Sequence, residues 1–301
     1  MADTTIGYQI LFGAVGLSFL AGFLINVFIV AVNISEWTKG RSMSTTDKVI
    51  TSLGISRMVF QVGCMFHVIW DVYFYRLDNL FFVPVLFLET TSIYYNIWLS
   101  TLLSVVFYLK ISTLHNAFFL RLKTLVLSRV FHLIVVSVVV SVTYALVCCL
   151  ITISIPYNST MENYLNPMIG LIFSRFIFRT SGPCLIYFIS SVLLIIYLYQ
   201  HVSRMRSRRN ETSHLDAYYK TIKFTGFSIF CSTCYSIMDL TSQYWLSPFG
   251  LLGFYFLWQL FPTFHSMYLI YVTAKFRIQL CNVVCVLRRC IPKASVETVF
   301  Q

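Results

Sequence analysis

The stretch Val49-Ile-Thr-Ser-Leu-Gly-Ile-Ser-Arg57-Met-Val-Phe-Gln-Val-Gly-Cys-Met-Phe-His-Val-Ile-Trp70 is apolar at most positions and carries one arginine well inside it. Its length meets the roughly 20 residues that an α-helix needs to cross a bilayer. Arg57 stands about eight residues from the start, or ~12 Å at ~1.5 Å per residue. A guanidinium keeps its proton, so at that depth it requires hydrogen-bond partners, water or a route to the interface. Position alone leaves two roles open, a functional residue of the interior or a structural anchor.

The rest of the chain has the same character. Of its 301 residues, 58% are hydrophobic and 11% charged, and the mean hydropathy is +0.77. Soluble domains carry about 25% charged residues, so this composition belongs to an integral membrane protein. In a soluble protein the net charge of +11 would suggest a nucleic-acid partner. Here the basic residues cluster between apolar stretches, and no nucleic acid is expected. The nine cysteines are scattered, and Cys231-x-x-Cys234 lies within an apolar run. No metal site, cofactor or disulfide scaffold follows from that arrangement. The chain start has no basic segment ahead of its apolar run, so no cleaved leader is expected.

Seven apolar stretches divide the chain at 7–32, 49–70, 81–109, 127–153, 169–200, 222–246 and 250–273, with a tail over 274–301. They predict an all-α membrane protein, a single seven-helix bundle without linkers or internal repeats. Lysines and arginines set the orientation. Lys39, Arg41 and Lys48 follow the first stretch; Lys110, Arg121, Lys123 and Arg129 follow the third. Arg204, Arg206, Arg208, Arg209, Lys220 and Lys223 follow the fifth, and Lys275, Arg277, Arg288, Arg289 and Lys293 lie in the tail. Only Arg57, Arg76, Arg175 and Arg179 lie elsewhere. The positive-inside rule puts those loops and the C-terminus in the cytoplasm and the N-terminus outside. Of the sequons at Asn33, Asn158 and Asn210, only Asn158 then faces outward, and it is the expected glycosylation site.

The first two stretches and their loop contain Asn26, then Glu36-Trp37-Thr38-Lys39-Gly40-Arg41, then Leu53 through Arg57. The third ends in Phe107-Tyr108-Leu109-Lys110-Ile111-Ser112. The fifth holds Pro183 and runs from Leu193-Leu194-Ile195 to His201. The seventh reads Pro262-Thr263-Phe264-His265-Ser266 and then Leu269-Ile270. In this order the segments resemble the bitter taste receptors of vertebrates, the type 2 taste receptor family of G-protein-coupled receptors. The likeness spans essentially the whole chain. It departs at Asp216-Ala217-Tyr218-Tyr219-Lys220, where the family has a histidine, and at Thr273, where an asparagine is common. No D/E-R-Y follows the third stretch and no N-P-x-x-Y lies in the seventh, unlike rhodopsin-like receptors. Pheromone receptors of the first vomeronasal type are the nearest alternative, and a seven-helix transporter or channel is the alternative from another class.

The resemblance implies that helices one, two and seven adjoin. Asn26 and His265 lie ~9 and ~12 Å from the inner ends of their helices by the same rise. Asn26, Ser56, Arg57, His265 and Ser266 are therefore expected to meet in one polar layer, as a switch or as a static brace. A ligand pocket is expected in the outer half of the bundle. Its candidate residues are Glu89, Ser92, Ile93 and Asn96 of the third helix and Arg175 and Arg179 of the fifth. Tyr235 and Asp239 of the sixth and Tyr255, Trp258 and Gln259 of the seventh complete the set. Mutual ion pairing of the acids and arginines is the alternative, and the resemblance favours the pocket. On this reading Arg57 lies beyond the pocket, and Arg57→Ala should leave the rank order of agonists intact.

The resemblance also implies small bitter agonists, a plasma-membrane location and a heterotrimeric G protein, gustducin or a related inhibitory-class α subunit. Tyr108, Lys110, His201 and Arg204 are the coupling candidates, and the basic third inner loop meets either the G protein or anionic lipid. Cys281, Cys285 and Cys290 are candidates for palmitoylation or remain free thiols. Homo- and hetero-oligomers both stay open. No nucleophile or phosphate loop points to an enzyme.

Overall fold

A computed structural model describes residues 2–74, 83–113, 116–154, 182–207, 212–241 and 248–290. Arg175, Arg179 and Asn158 lie outside them, as do the side chains of Asp239 and Cys290. Seven long helices form the bundle: α1 (Ala2–Thr38), α2 (Thr45–Ile69), α3 (Val83–Ile111), α5 (Val130–Ser154), α6 (Leu185–Ser207), α7 (Thr212–Thr241) and α8 (Pro248–Val272). Two shorter helices, α4 (Ala117–Ser128) and α9 (Ala274–Cys290), occupy what the sequence suggested were an inner loop and a tail. Every described regular element is helical, an all-α membrane bundle.

Helices α1, α2, α3, α5 and α6 are each long and apolar enough to cross a bilayer, and α8 qualifies together with α9. The serines and threonines spaced along α7 (Thr225, Ser228, Ser232, Thr233, Ser236) make it the least apolar of the seven. Helix α1 packs between α2 and α8, and α3 sits centrally against α2, α5 and α6; α7 bridges α6 and α8. The valines of α5 at 135, 136, 139, 140 and 147 point out of the bundle, as lipid-facing residues do.

The ends of the helices are chemically specified. Ser44 caps α2: its Oγ accepts from Asp47 N at 3.1 Å and donates to Asp47 Oδ2 at 2.7 Å. Asn116 caps α4 through Phe118 N at 3.1 Å, and α4 docks by burying Phe119 and Val126. Helix α9 leaves α8 at 93°. Phe276 at its start is fully buried, while Leu280 and Val283, on the same side at helical spacing, are exposed. Lys275 Nζ pairs with Glu36 Oε2 at 2.8 Å and Asp47 Oδ1 at 3.4 Å, fixing the start of α9 to α1 and α2.

Candidate functional site

Helix α2 presents Arg57, Gln61, Cys64 and His67 at intervals of three and four residues, one continuous polar stripe on an otherwise apolar helix. Helix α8 meets it with Ser266, Thr263 and Gln259. Arg57 Nη1 donates to Ser266 Oγ at 2.6 Å, and Nη2 donates to His265 Nδ1 at 3.1 Å. Because arginine only donates, His265 must carry its own proton on Nε2. Ser266 Oγ passes its hydrogen to Asn26 Oδ1 at 2.8 Å, and Asn26 Nδ2 donates to Gly22 O at 2.8 Å. Ser56 joins α2 to α3 through Ser92 O at 3.2 Å. Of the five residues expected in one layer, Asn26, Arg57, His265 and Ser266 are joined by these bonds and Ser56 turns to α3 instead; all five are buried.

The stripe continues outward. Gln61 Nε2 donates to Thr263 Oγ1 at 3.2 Å, and Gln259 Nε2 to Cys64 Sγ at 3.2 Å. His67 Nδ1 lies 2.8 Å from Glu89 Oε2. These bonds zip α2 to α8 and α3 through the apolar interior, where unmet polar groups are costly. In the sequence, Gln61, Cys64, His67 and Thr263 are signalled only by their spacing after Arg57 and before Ser266.

Behind the layer lies a cavity with about 590 Å³ of atom-free space, including its mouth. Helix α3 lines it with Asn96, Ile97, Ser100 and Thr101, and α6 with Tyr187. Helix α7 adds Ser228, Ser232 and Tyr235, and α8 adds Phe261, Pro262 and His265. Aromatic walls with a few hydroxyl and amide groups suit a small organic molecule. Arg57 also lines this space. The sequence places Arg57 beyond the pocket, whereas this cavity reaches down to the polar layer, and the two share Arg57 and His265.

Of the residues expected in the pocket, Asn96 and Tyr235 line the cavity. Glu89 does not. It is 2% exposed and faces α2, where Gly63 has no side chain to keep it away. Ile93, Tyr255 and Trp258 pack in an apolar cluster with Phe60 and Phe254, Ser92 Oγ donates to Leu88 O at 2.7 Å, and Gln259 is fully buried against Cys64. Spacing grouped Glu89, Ser92, Ile93 and Asn96 on one side of α3, but a central helix has neighbours on several sides. Glu89→Gln is accordingly expected to lower the thermal stability of the purified protein by several degrees and to leave agonist selectivity unchanged. A selective loss of cationic agonists at unchanged stability would contradict the His67 pairing.

At the inner face, Tyr108 packs edge-on against Phe119 of α4 at 5.9 Å, and Lys110 Nζ donates to Thr46 Oγ1 at 3.5 Å. His201 lies between Tyr197 at 6.2 Å and Tyr218 at 5.0 Å, while Arg204 is exposed. Cys281 and Cys285 are exposed on α9. At about 100° per residue they project from the side away from Phe276.

The model of the taste receptor protein family (TAS2R) matches residues 3–288. Taste receptor type 2 member 140 of Rattus norvegicus is 29% identical over 290 residues, covering 86% of this chain and 88% of the relative. Member 64 of Pan paniscus is 24% identical over 304 residues, 90% of this chain and 93% of the relative. Member 14 of Homo sapiens is 35% identical over 115 residues, 35% of this chain and 34% of the relative. With the family matched across nearly the whole bundle, the chain belongs to the type 2 taste receptors, multi-pass plasma-membrane receptors of bitter taste in the G-protein-coupled class.

Proposed function

We propose that the cavity between α3, α6, α7 and α8 receives small organic agonists and that their binding opens the inner face to a heterotrimeric G protein of the gustducin-like, inhibitory class. The N-terminus lies outside, Asn158 carries glycan in an outer loop, and the basic inner ends face the cytoplasm. One observation carries the reading: Arg57 and His265 line the cavity and also hold α2 to α8. A ligand that touches either residue bears directly on the bonds joining α1, α2 and α8. Agonism is then a population shift, bounded by the difference in ligand affinity between the two arrangements of that layer.

Tyr108, Lys110, His201 and Arg204 lie at the end of the bundle where the G protein docks, with α4 as part of the docking surface. The test is a calcium-response screen of chemically diverse bitter compounds in cells supplied with a gustducin-like α subunit. Concentration-dependent responses that require both receptor and α subunit are expected. Silence across the panel, with receptor present at the surface, would count against the reading.

A further inference from the structure

Arg57 is a buried cation without a counter-ion among the described residues. It is 5% exposed, and its two hydrogen-bond partners, Ser266 and His265, are neutral acceptors. The three carboxylates whose side chains are described are engaged elsewhere: Glu36 and Asp47 with Lys275, and Glu89 with His67. A charge in an apolar interior is costly unless an opposite charge or water meets it. The guanidinium lies on the cavity wall, so the missing charge has a place from which to arrive. Asn96 also lines the wall, and its buried Oδ1 has no hydrogen-bond partner among the described residues. Ile97, Tyr187, Tyr235 and Phe261 line the same space.

We infer that the cavity selects apolar organic acids: a carboxylate meets the Arg57 guanidinium, the body lies against the aromatic walls, and an N–H or O–H on that body donates to Asn96. Carboxylate and guanidinium are matched in shape and charge, and such bonds are stronger than neutral ones. The apolar and aromatic side chains of that wall, Ile97, Tyr187, Tyr235 and Phe261, argue for an organic occupant over an inorganic anion. This inference rests on the receptor reading for its biological meaning, since it names the ligand class of the same site.

The experiment uses the full-length receptor in nanodiscs of neutral lipid, in gluconate buffer. The probes are phenylalkanoic and naphthoic acids, with and without an N–H or O–H substituent, each paired with its methyl ester. Binding is read by thermal shift and competition, and nucleotide exchange on a G protein is read separately. At least one acid is expected to bind about tenfold or more tightly than its ester, the scale of a charged hydrogen bond. Arg57→Gln should erase that ratio. If that variant does not purify, Ser228→Phe, which narrows the cavity, should abolish binding of the acid instead.

Equal affinity of acids and esters across the set overturns the proposal, as does an acid preference that survives these variants. A shift produced by chloride alone, with no added effect of any acid, overturns it in favour of an inorganic anion. Acids that bind with the expected preference but never promote exchange leave the site standing and sink the receptor reading. Neutral agonists that promote exchange, with all acids inert, do the reverse.

Discussion

Ser266→Val is expected to cost about 3–5 kcal/mol of stability and to remove most receptor from the cell surface. The side chain is fully buried, and its single hydroxyl does two things. It accepts from Arg57 Nη1 at 2.6 Å and donates to Asn26 Oδ1 at 2.8 Å. Valine fills nearly the same volume, so packing survives while a charged N–H and a buried carbonyl both lose their partner. Leaving a buried group unmatched costs about 1–3 kcal/mol, and more where it is charged. Ser266→Thr keeps the hydroxyl and should retain most surface expression. Once Asn26→Leu has removed the acceptor, Ser266→Val should cost less than it does alone, because residues in one network are not additive. Wild-type melting temperature and surface level in Ser266→Val would show that the layer is not what joins α1, α2 and α8.

The second large effect is expected at Gly22. A Cβ built there collides with Gln61 Nε2 and Thr263 Oγ1, the pair that bridges α2 to α8. Gln61 is long and can swing aside, but Thr263 is short and its hydroxyl is already bound to Gln259 O at 2.8 Å. Gly22→Val must therefore push α1 away from both neighbours or break the bridge. Overpacking alone costs about 1–3 kcal/mol, and the lost hydrogen bond adds to it. Gly13 and Gly16 lie on the same helix with nothing within 4 Å of a built Cβ. Gly13→Val and Gly16→Val are the controls and should leave stability unchanged, whereas Gly22→Val should cut surface expression several-fold. Equal behaviour of the three variants would contradict the tight meeting of α1, α2 and α8.

The polar layer was legible in the sequence for a simple reason. Depth along a helix follows from counting residues, and Asn26, Arg57, His265 and Ser266 count to the same level. Which side of a helix faces which neighbour is set by rotation and crossing angle, and no count yields those. That is why Glu89 was placed with Asn96 although α3 turns Glu89 toward His67 on α2. It is also why the cavity was expected to end above Arg57. Helices α4 and α9 leave no long apolar run in the sequence, because both are short and amphipathic and carry basic residues. In α9 the spacing of Phe276, Leu280, Val283 and Leu287 held the signal.

The central claim is that occupancy of a cavity bounded by Arg57 and His265 controls G-protein engagement. Its most direct measurement is agonist-dependent nucleotide exchange on a purified inhibitory-class heterotrimer, using the receptor in sealed vesicles with ion flux recorded in parallel. Exchange that rises with agonist, without flux, is the result expected. Flux that rises with agonist while exchange stays at its basal rate would contradict the account.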